Sequence, residues 1–271
     1  MVGTTYILSH SQQELRRLRL QADILKPITT RLLREAGLAQ GMRVVDLGCG
    51  PGDVSLLAAE IVGPTGLVTG IDRSPSAIDT ARMRVKAAGL ANINFVEADA
   101  AVATGTGTVD LAVGRYVLLR QSDPAAFIRA ATTHVRRGGA VAFHEVVAVG
   151  GLWSFPTVPL WQQVTDLLVE ALRSAQQHPE AGAHMIKHFH DAGLPQPSLF
   201  SEIPVSGGPH SPLYAWVAET LRMVLPHVER VGPADPGETD IDSLEDRLRQ
   251  AVTAVRGQVC FGYQYCGWTR I

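Results

Sequence analysis

The chain has 271 residues, 46% of them apolar and 18% charged, enough to bury one large core and inconsistent with a disordered or fibrous class. Its formal net charge of −2, with Lys and Arg scattered, argues against a nucleic-acid partner, which calls for a basic stripe to neutralise phosphates. No apolar run reaches the ~20 residues that span a bilayer, the first residues carry no leader pattern, and three cysteines at irregular spacing form no disulfide framework, so the expected compartment is the cytosol.

In chain order, Ser11-Gln12-Gln13-Glu14 fits a capping box that opens a helix carrying Leu15, Leu18, Ala22 and Leu25. Pro27 suits the start of a second helix, ended by Gly37. The basic run Arg16, Arg17, Arg19 reads as a solvated helix face. Arg43 to Leu47 is a short buried strand, followed by a glycine-rich turn and a helix from Val54 to Ile61. Leu67 to Ile71 is the next strand, and Ser74-Pro75 opens a helix with an N-cap and an N1 proline. Ile93 to Val96 and Val109 to Val113 are strands three and four. A helix from about Pro124 to Val135 is expected to stop at Gly138-Gly139, before a fifth strand from Ala140 to Val146. This alternation predicts an α/β fold of βαβ units with a parallel, doubly wound sheet. Beyond Gly150 come helices near 159–177, 183–192, 212–228 and 241–255, a sixth strand over Leu199 to Val205, and a closing strand from Val259 to Trp268.

The informative segment is Asp46-Leu47-Gly48-Cys49-Gly50-Pro51-Gly52. A strand that ends in glycines and enters a helix allows a ligand close to the backbone and presents amides to it. The spacing departs from the dinucleotide pattern Gly-x-Gly-x-x-Gly, with Asp53 standing where its third glycine belongs. An acid at Asp46 would repel a pyrophosphate and suits a cationic ligand, and S-adenosylmethionine (SAM) carries an ammonium and a sulfonium. Asp72, about 20 residues on, ends the second strand where a carboxylate accepts from ribose hydroxyls, and Asp99 ends the third, within reach of an adenine amine.

Residues 43–146 resemble the SAM-binding half of class I methyltransferases, in the style of the ubiquinone and menaquinone biosynthesis enzymes. The likeness is carried by the glycine turn, Gly70-Ile71-Asp72-Arg73-Ser74, Glu97-Ala98-Asp99-Ala100, Val109-Asp110-Leu111 and Gly138-Gly139. It implies a seven-stranded, mostly parallel sheet with helices on both faces and an antiparallel last strand. It further implies Gly48, Cys49 and Gly50 beside the methionine moiety, Asp72 at the ribose, and Asp99 and Ala100 at the adenine, with Asp46, Gly52 and Arg73 as further cofactor-binding candidates. Arg115 and Tyr116 would lie by the sulfonium and acceptor. Tyr6 and the helix with Gln21 resemble the lid that such enzymes fold over the cofactor.

The expected function is methyl transfer from SAM to an O, N or C atom of a small-molecule metabolite. The alternatives are a SAM-fold protein with a non-methylating reaction or an accessory role. His144, at the carboxyl end of the fifth strand, is the candidate base, and Tyr116 either assists or lines the pocket. The expected organisation is an N-terminal helical lid (1–40), a SAM-binding core (41–149), substrate-covering insertions (150–182 and 207–258) and the rest of the sheet (183–206 and 259–271). The insertions bring Trp153, Phe155, Trp161, Tyr214 and Trp216, apolar faces that suit a ring-bearing acceptor. His184, His188 and His190 lack a metal-site pattern and read as a polar helix face, so no metal is expected. A homodimer is open, since terminal helices can cover their own site or a partner's.

Overall fold

The computed structural model describes residues 12–101, 108–231 and 240–271; Tyr6 and Ser11 lie outside them. The chain divides into two compact units. A sheet unit comprises Lys26–Val147, Glu180–Glu202 and Gln264–Ile271, and a helical unit comprises the chain up to Leu25 with Ala148–Pro179 and Ile203–Tyr263.

Helix α1 (Gln12–Glu35) runs through both assignments as one helix with Pro27 inside it, where the sequence predicts two. The apolar spacing explains the difference. Leu25, Ile28 and Leu32 stay buried on one continuing face, which offsets the amide that proline cannot donate. Arg17 is also not solvated, because both Glu14 oxygens accept its guanidinium at 2.8 Å in a buried fork.

The sheet unit then adds β1 (Arg43–Leu47), α2 (Asp53–Val62), β2 (Leu67–Asp72), α3 (Pro75–Ala87), β3 (Ile93–Glu97), β4 (Val109–Arg115), a 3-10 turn (Leu118–Arg120), α4 (Pro124–Thr132) and β5 (Val135–Val147). The helical unit interrupts with β6 (Ser154–Phe155) and α5 (Pro159–Ala175). α6 (Met185–Asp191) and β7 (Ser198–Glu202) return to the sheet unit. β8 (Val205–Gly207), α7 (Pro212–Val231), α8 (Leu244–Ala254) and β9 (Gln258–Cys260) again belong to the helical one, before β10 (Tyr263–Arg270).

The large sheet has the order β3-β2-β1-β4-β5-β10-β7, seven strands, with β1 to β5 parallel and β10 antiparallel to β7. Val44 and Val45 on β1 pair with neighbours on both sides and are buried, as a parallel strand covered on both faces requires. The predicted N-cap at Ser74-Pro75 forms, Ser74 accepting the Ala77 amide, and Asp123 caps α4 in the same way, accepting the Ala126 amide. Gly138-Gly139 does not end a helix. α4 stops at Thr132, and the glycines sit inside β5, where the β4–β5 register slips and Gly138 takes φ 78°. The predicted closing strand is two strands in different sheets, separated by Gly262 at φ 79°, and Pro204 likewise parts β7 from β8. In the core, Phe143 meets Phe127 and Phe189 edge-on at 6.2 and 6.0 Å.

In the helical unit α5, α7 and α8 pack on one another beside the antiparallel sheet β6-β9-β8. Trp161 stands edge-on to Tyr214 at 6.4 Å and Trp216 to Phe261 at 4.4 Å, all buried, whereas Phe155 is exposed. No helix among the described residues is long and apolar enough to cross a membrane.

Phe143 has no exposed surface and joins two helices to the sheet. Phe143→Ala is expected to lower unfolding free energy by about 3–5 kcal/mol, read from the urea midpoint.

Candidate cofactor-binding site

The site is built at the carboxyl ends of β1, β2 and β4 in the sheet unit. Gly48, Gly50 and Gly52 all take positive φ, 71°, 52° and 86°. Their amides differ from expectation. Gly48 and Cys49 N–H both donate to the Ile71 carbonyl, Gly50 N–H donates to Asp72 Oδ2 at 2.8 Å, and Gly52 N–H closes on Cys49 O. The turn is satisfied internally, so its glycines supply close approach rather than spare donors. A side chain at Gly50 would meet nothing, whereas at Gly48 it would collide with Val117. Phe95 and the Cys49 sulfur close in on Gly70. Cys49, Cys260 and Cys266 are free, buried thiols, and burial raises the pKa of each.

The acids are held differently. Asp72 accepts from Gly50 and Ser74 amides, one per oxygen, which leaves each oxygen a lone pair. Asp99 is exposed and accepts the Ala101 amide, Ala100 beside it is buried, and Arg73 is exposed. Asp46 is buried, accepts the Ser55 hydroxyl at 2.6 Å, and burial pushes its carboxyl up to about 6. Asp53, at the start of α2, takes Arg84 at 2.7 Å and Arg115 at 3.7 Å.

After β4 lies a chain of polar groups. Arg115 donates to Thr29 Oγ1, which bonds His144 Nδ1 at 3.0 Å. His144 Nε2 meets Gln264 Oε1 at 3.1 Å, and Tyr116 OH donates to the same oxygen at 2.7 Å. A carboxamide oxygen only accepts, so the imidazole carries its proton on Nε2 and Nδ1 accepts from Thr29. Burial, with Arg115 nearby, pushes His144 down to about 3. Tyr116 adopts φ 58°, and burial holds its phenol well above its usual range. The loop is pinned by Glu145, buried on β5, which accepts the amides of Val117 and Leu118 at 2.9 and 2.8 Å. Burial raises the Glu145 carboxyl to about 7 against those amides.

The sequence-predicted residues Asp46, the glycines, Cys49 and Asp72 thus converge, as do Arg115, Tyr116 and His144. Gln21 belongs to the helical unit, where its oxygen accepts from Arg17 at 3.0 Å. His144 does not have the setting expected of a base, since both ring nitrogens are engaged. Ser55, Thr29, Glu145 and Gln264 were not foreseen; only Glu145, an acid inside an apolar strand, carried a signal. His188 is buried rather than on a polar face, edge-on to His184, and no group among the described residues could hold a metal.

Residues 38–190 match the family described as a methyltransferase domain. Aklanonic acid methyltransferase DauC of Streptomyces sp. (strain C5) is 33% identical over 167 residues, 60% of this chain and 74% of that protein. Demethylmenaquinone methyltransferase of Lactococcus lactis subsp. lactis (strain IL1403) is 28% identical over 138 residues, and the chain spans about half of its length (52%) and uses 51% of its own. The structure of the YcgJ protein of Bacillus subtilis shares the fold, with a TM-score of 0.56 at 14% identity over 90% of this chain and 98% of that one. With more than half of its length in that match, the chain belongs to the methyltransferase-domain family and is a SAM-dependent methyltransferase of Rossmann-like fold.

Proposed function

We propose that the chain acts in the cytosol, without a nucleic-acid partner, on a small ring-bearing metabolite whose methyl-accepting group is already acidic: a phenol, an enol or a carboxylic acid. The observation that carries this reading is the commitment of His144 and Tyr116 to Gln264 and Thr29. A neutral imidazole with both nitrogens bonded is a poor base, so the acceptor is best supplied as its own anion. The names of the relatives favour a small-molecule acceptor.

The residues fit the cofactor. Open space over Gly50 admits a ligand against the backbone, and Asp72 retains lone pairs for ribose hydroxyls. In this reading Gly48, Cys49, Gly50 and Gly52 flank the methionine part, Asp72 and Arg73 the ribose, and Asp99 and Ala100 the adenine. Asp46 supplies negative potential toward the ammonium. When bound, the cofactor supplies an electrophilic methyl group on a sulfonium. The protein's part is orientation and exclusion of water. Arg115, fixed by Asp53 and Thr29, and Tyr116, fixed by Gln264, give the acceptor side a rigid wall.

Binding is tested by thermal unfolding. S-adenosylhomocysteine at ~100 times its Kd adds about 2.7 kcal/mol and raises the midpoint by several degrees. Asp72→Ala should lose most of that rise, and a rise with NAD alone would overturn the cofactor assignment. In the pH profile, kcat/KM should climb with the acceptor's own ionisation, and His144→Asn should cost less than ~10-fold; a drop of ~10²–10⁴ would restore His144 as base.

Glu145 gives a stability signature. Its folded value of about 7 exceeds the ordinary 4.5, so the folded chain holds a proton between these values that the unfolded chain has lost. Its contribution to stability therefore falls as pH rises from about 4.5 to 7. Glu145→Gln keeps an acceptor for Val117 and Leu118, and should gain about 1–3 kcal/mol relative to the wild type between pH 5 and pH 8, measured by urea unfolding at each pH. A pH-independent difference would show that Glu145 does not titrate there.

A further inference from the structure

The methionine part of the cofactor carries a carboxylate as well as an ammonium. The field of Asp46, Asp53 and Asp72 suits only the ammonium. The glycine turn offers the carboxylate no amide, since Gly48, Cys49, Gly50 and Gly52 N–H donate to Ile71, Asp72 and Cys49. A side-chain cation has to answer it. Two arginines pair with Asp53, the first residue of the helix after the turn. Arg84 is committed, with Nη1 on the Pro51 carbonyl at 2.6 Å and Nη2 on Asp53 Oδ1 at 2.7 Å. Arg115 is not. The β1–β4 register pairs Asp46 with Val113, so Arg115 stands two residues further along β4, beside the start of the turn and on the Asp46 face of the sheet. Its side chain is only 9% exposed, yet its contacts are long: Nη1 meets Thr29 Oγ1 at 3.4 Å, and Nη2 lies 3.7 Å from Asp53 Oδ2. Nε and Nη2 hydrogen-bond to no atom of the described residues, and neither is sealed from solvent. Asp53 itself opens α2, a helix with no side-chain cap on its first amides, so the helix end adds positive potential beside Arg115.

We propose that Arg115 is the receptor for the cofactor's carboxylate: Nε and Nη2 take its two oxygens, while Thr29 and Asp53 hold the guanidinium in place. These two nitrogens form one edge of the guanidinium, and that edge grips a carboxylate with two parallel hydrogen bonds. Thr29 meets the side chain at Nη1 and leaves the edge clear. Asp53 shares its oxygens between Arg84 and Arg115, so it orients Arg115 without closing on it. The ammonium on the same carbon is left to the negative potential of Asp46. Arg115 in this way reads the amino-acid end of the cofactor, as Asp72 reads the ribose. The proposal rests on the cofactor assignment and lies wholly within the sheet unit.

The test is isothermal titration of the full chain with S-adenosylhomocysteine and with its decarboxylated analogue, which keeps the adenosine, the thioether and the amine. The wild type should bind S-adenosylhomocysteine at least ~10-fold more tightly, the worth of charge-assisted hydrogen bonds to one carboxylate. Arg115→Gln should bring the two affinities within ~3-fold of each other, and leave that for the decarboxylated analogue within ~3-fold of the wild type, as a pairwise cycle requires. Arg115→Lys keeps the charge without the fork and should retain only part of the preference; it carries the test if the Gln variant does not fold. Equal or reversed affinity of the wild type for the two compounds would overturn the proposal and leave the cofactor assignment standing. So would an Arg115→Gln variant that keeps the full preference, or one that loses both ligands alike, the behaviour of a residue that only braces Thr29 and Asp53. If neither compound binds the wild type, the cofactor assignment itself falls, and the role of Arg115 with it.

Discussion

The site depends on one buried carboxylate. Glu145 leaves water to accept the amides of Val117 and Leu118 that open the turn after β4. Once the turn is anchored, Val117 is pressed against Gly48 and Gly114, and Tyr116 has to bridge the end of β4 to the turn at φ 58°. Its amide returns to the His144 carbonyl, and its hydroxyl reaches Gln264. The glycine turn and the acceptor-side loop are therefore one object, with β5 as its support. The energy cost of burying Glu145 is recorded in its raised pKa, and the geometry that results is what the chain retains.

Charge in the sheet unit follows the same economy. Asp46, Asp53 and Asp72 crowd one end of the sheet; Arg84 and Arg115 pair with Asp53, and Arg115 also acts on Asp46 through space. Asp46 carries the greatest burden, being the most buried, and its pKa rises accordingly. A region of net negative potential with a backbone open at Gly50 favours a cation over a phosphate. The same acids that disfavour a pyrophosphate are the ones the sequence displays in order along β1 and β2.

That order is why much of the fold was legible in advance. Strand–turn–helix repetition, the proline cap at Ser74-Pro75, the helix start at Pro124 and the acid Asp72 at the end of β2 are local signals, and they formed as read. What escaped was set by distance along the chain. Thr29 meets His144 across 115 positions and Gln264 meets it across 120, pairings that no window of sequence contains. Pro27 misled because local propensity lost to a buried face that continues past it, and Gly138-Gly139 misled because a bulge and a helix stop use the same residues. The helical unit was visible as composition, in its tryptophans, but the partners of those tryptophans were not.

Gln264 also fixes how the molecule can vary. The oxygen that seats both Tyr116 and His144 enters on the last strand, after the chain has twice left the sheet unit, from Ala148 to Pro179 and from Ile203 to Tyr263. Closing a loop costs only about 0.6 kcal/mol more for each doubling of its length. The excursions can therefore lengthen, shorten or be rebuilt with small penalty to the strands they join, provided the chain returns in register at Gln264. The sheet strands and the excursions between them are in this way separable, free to diverge at different rates.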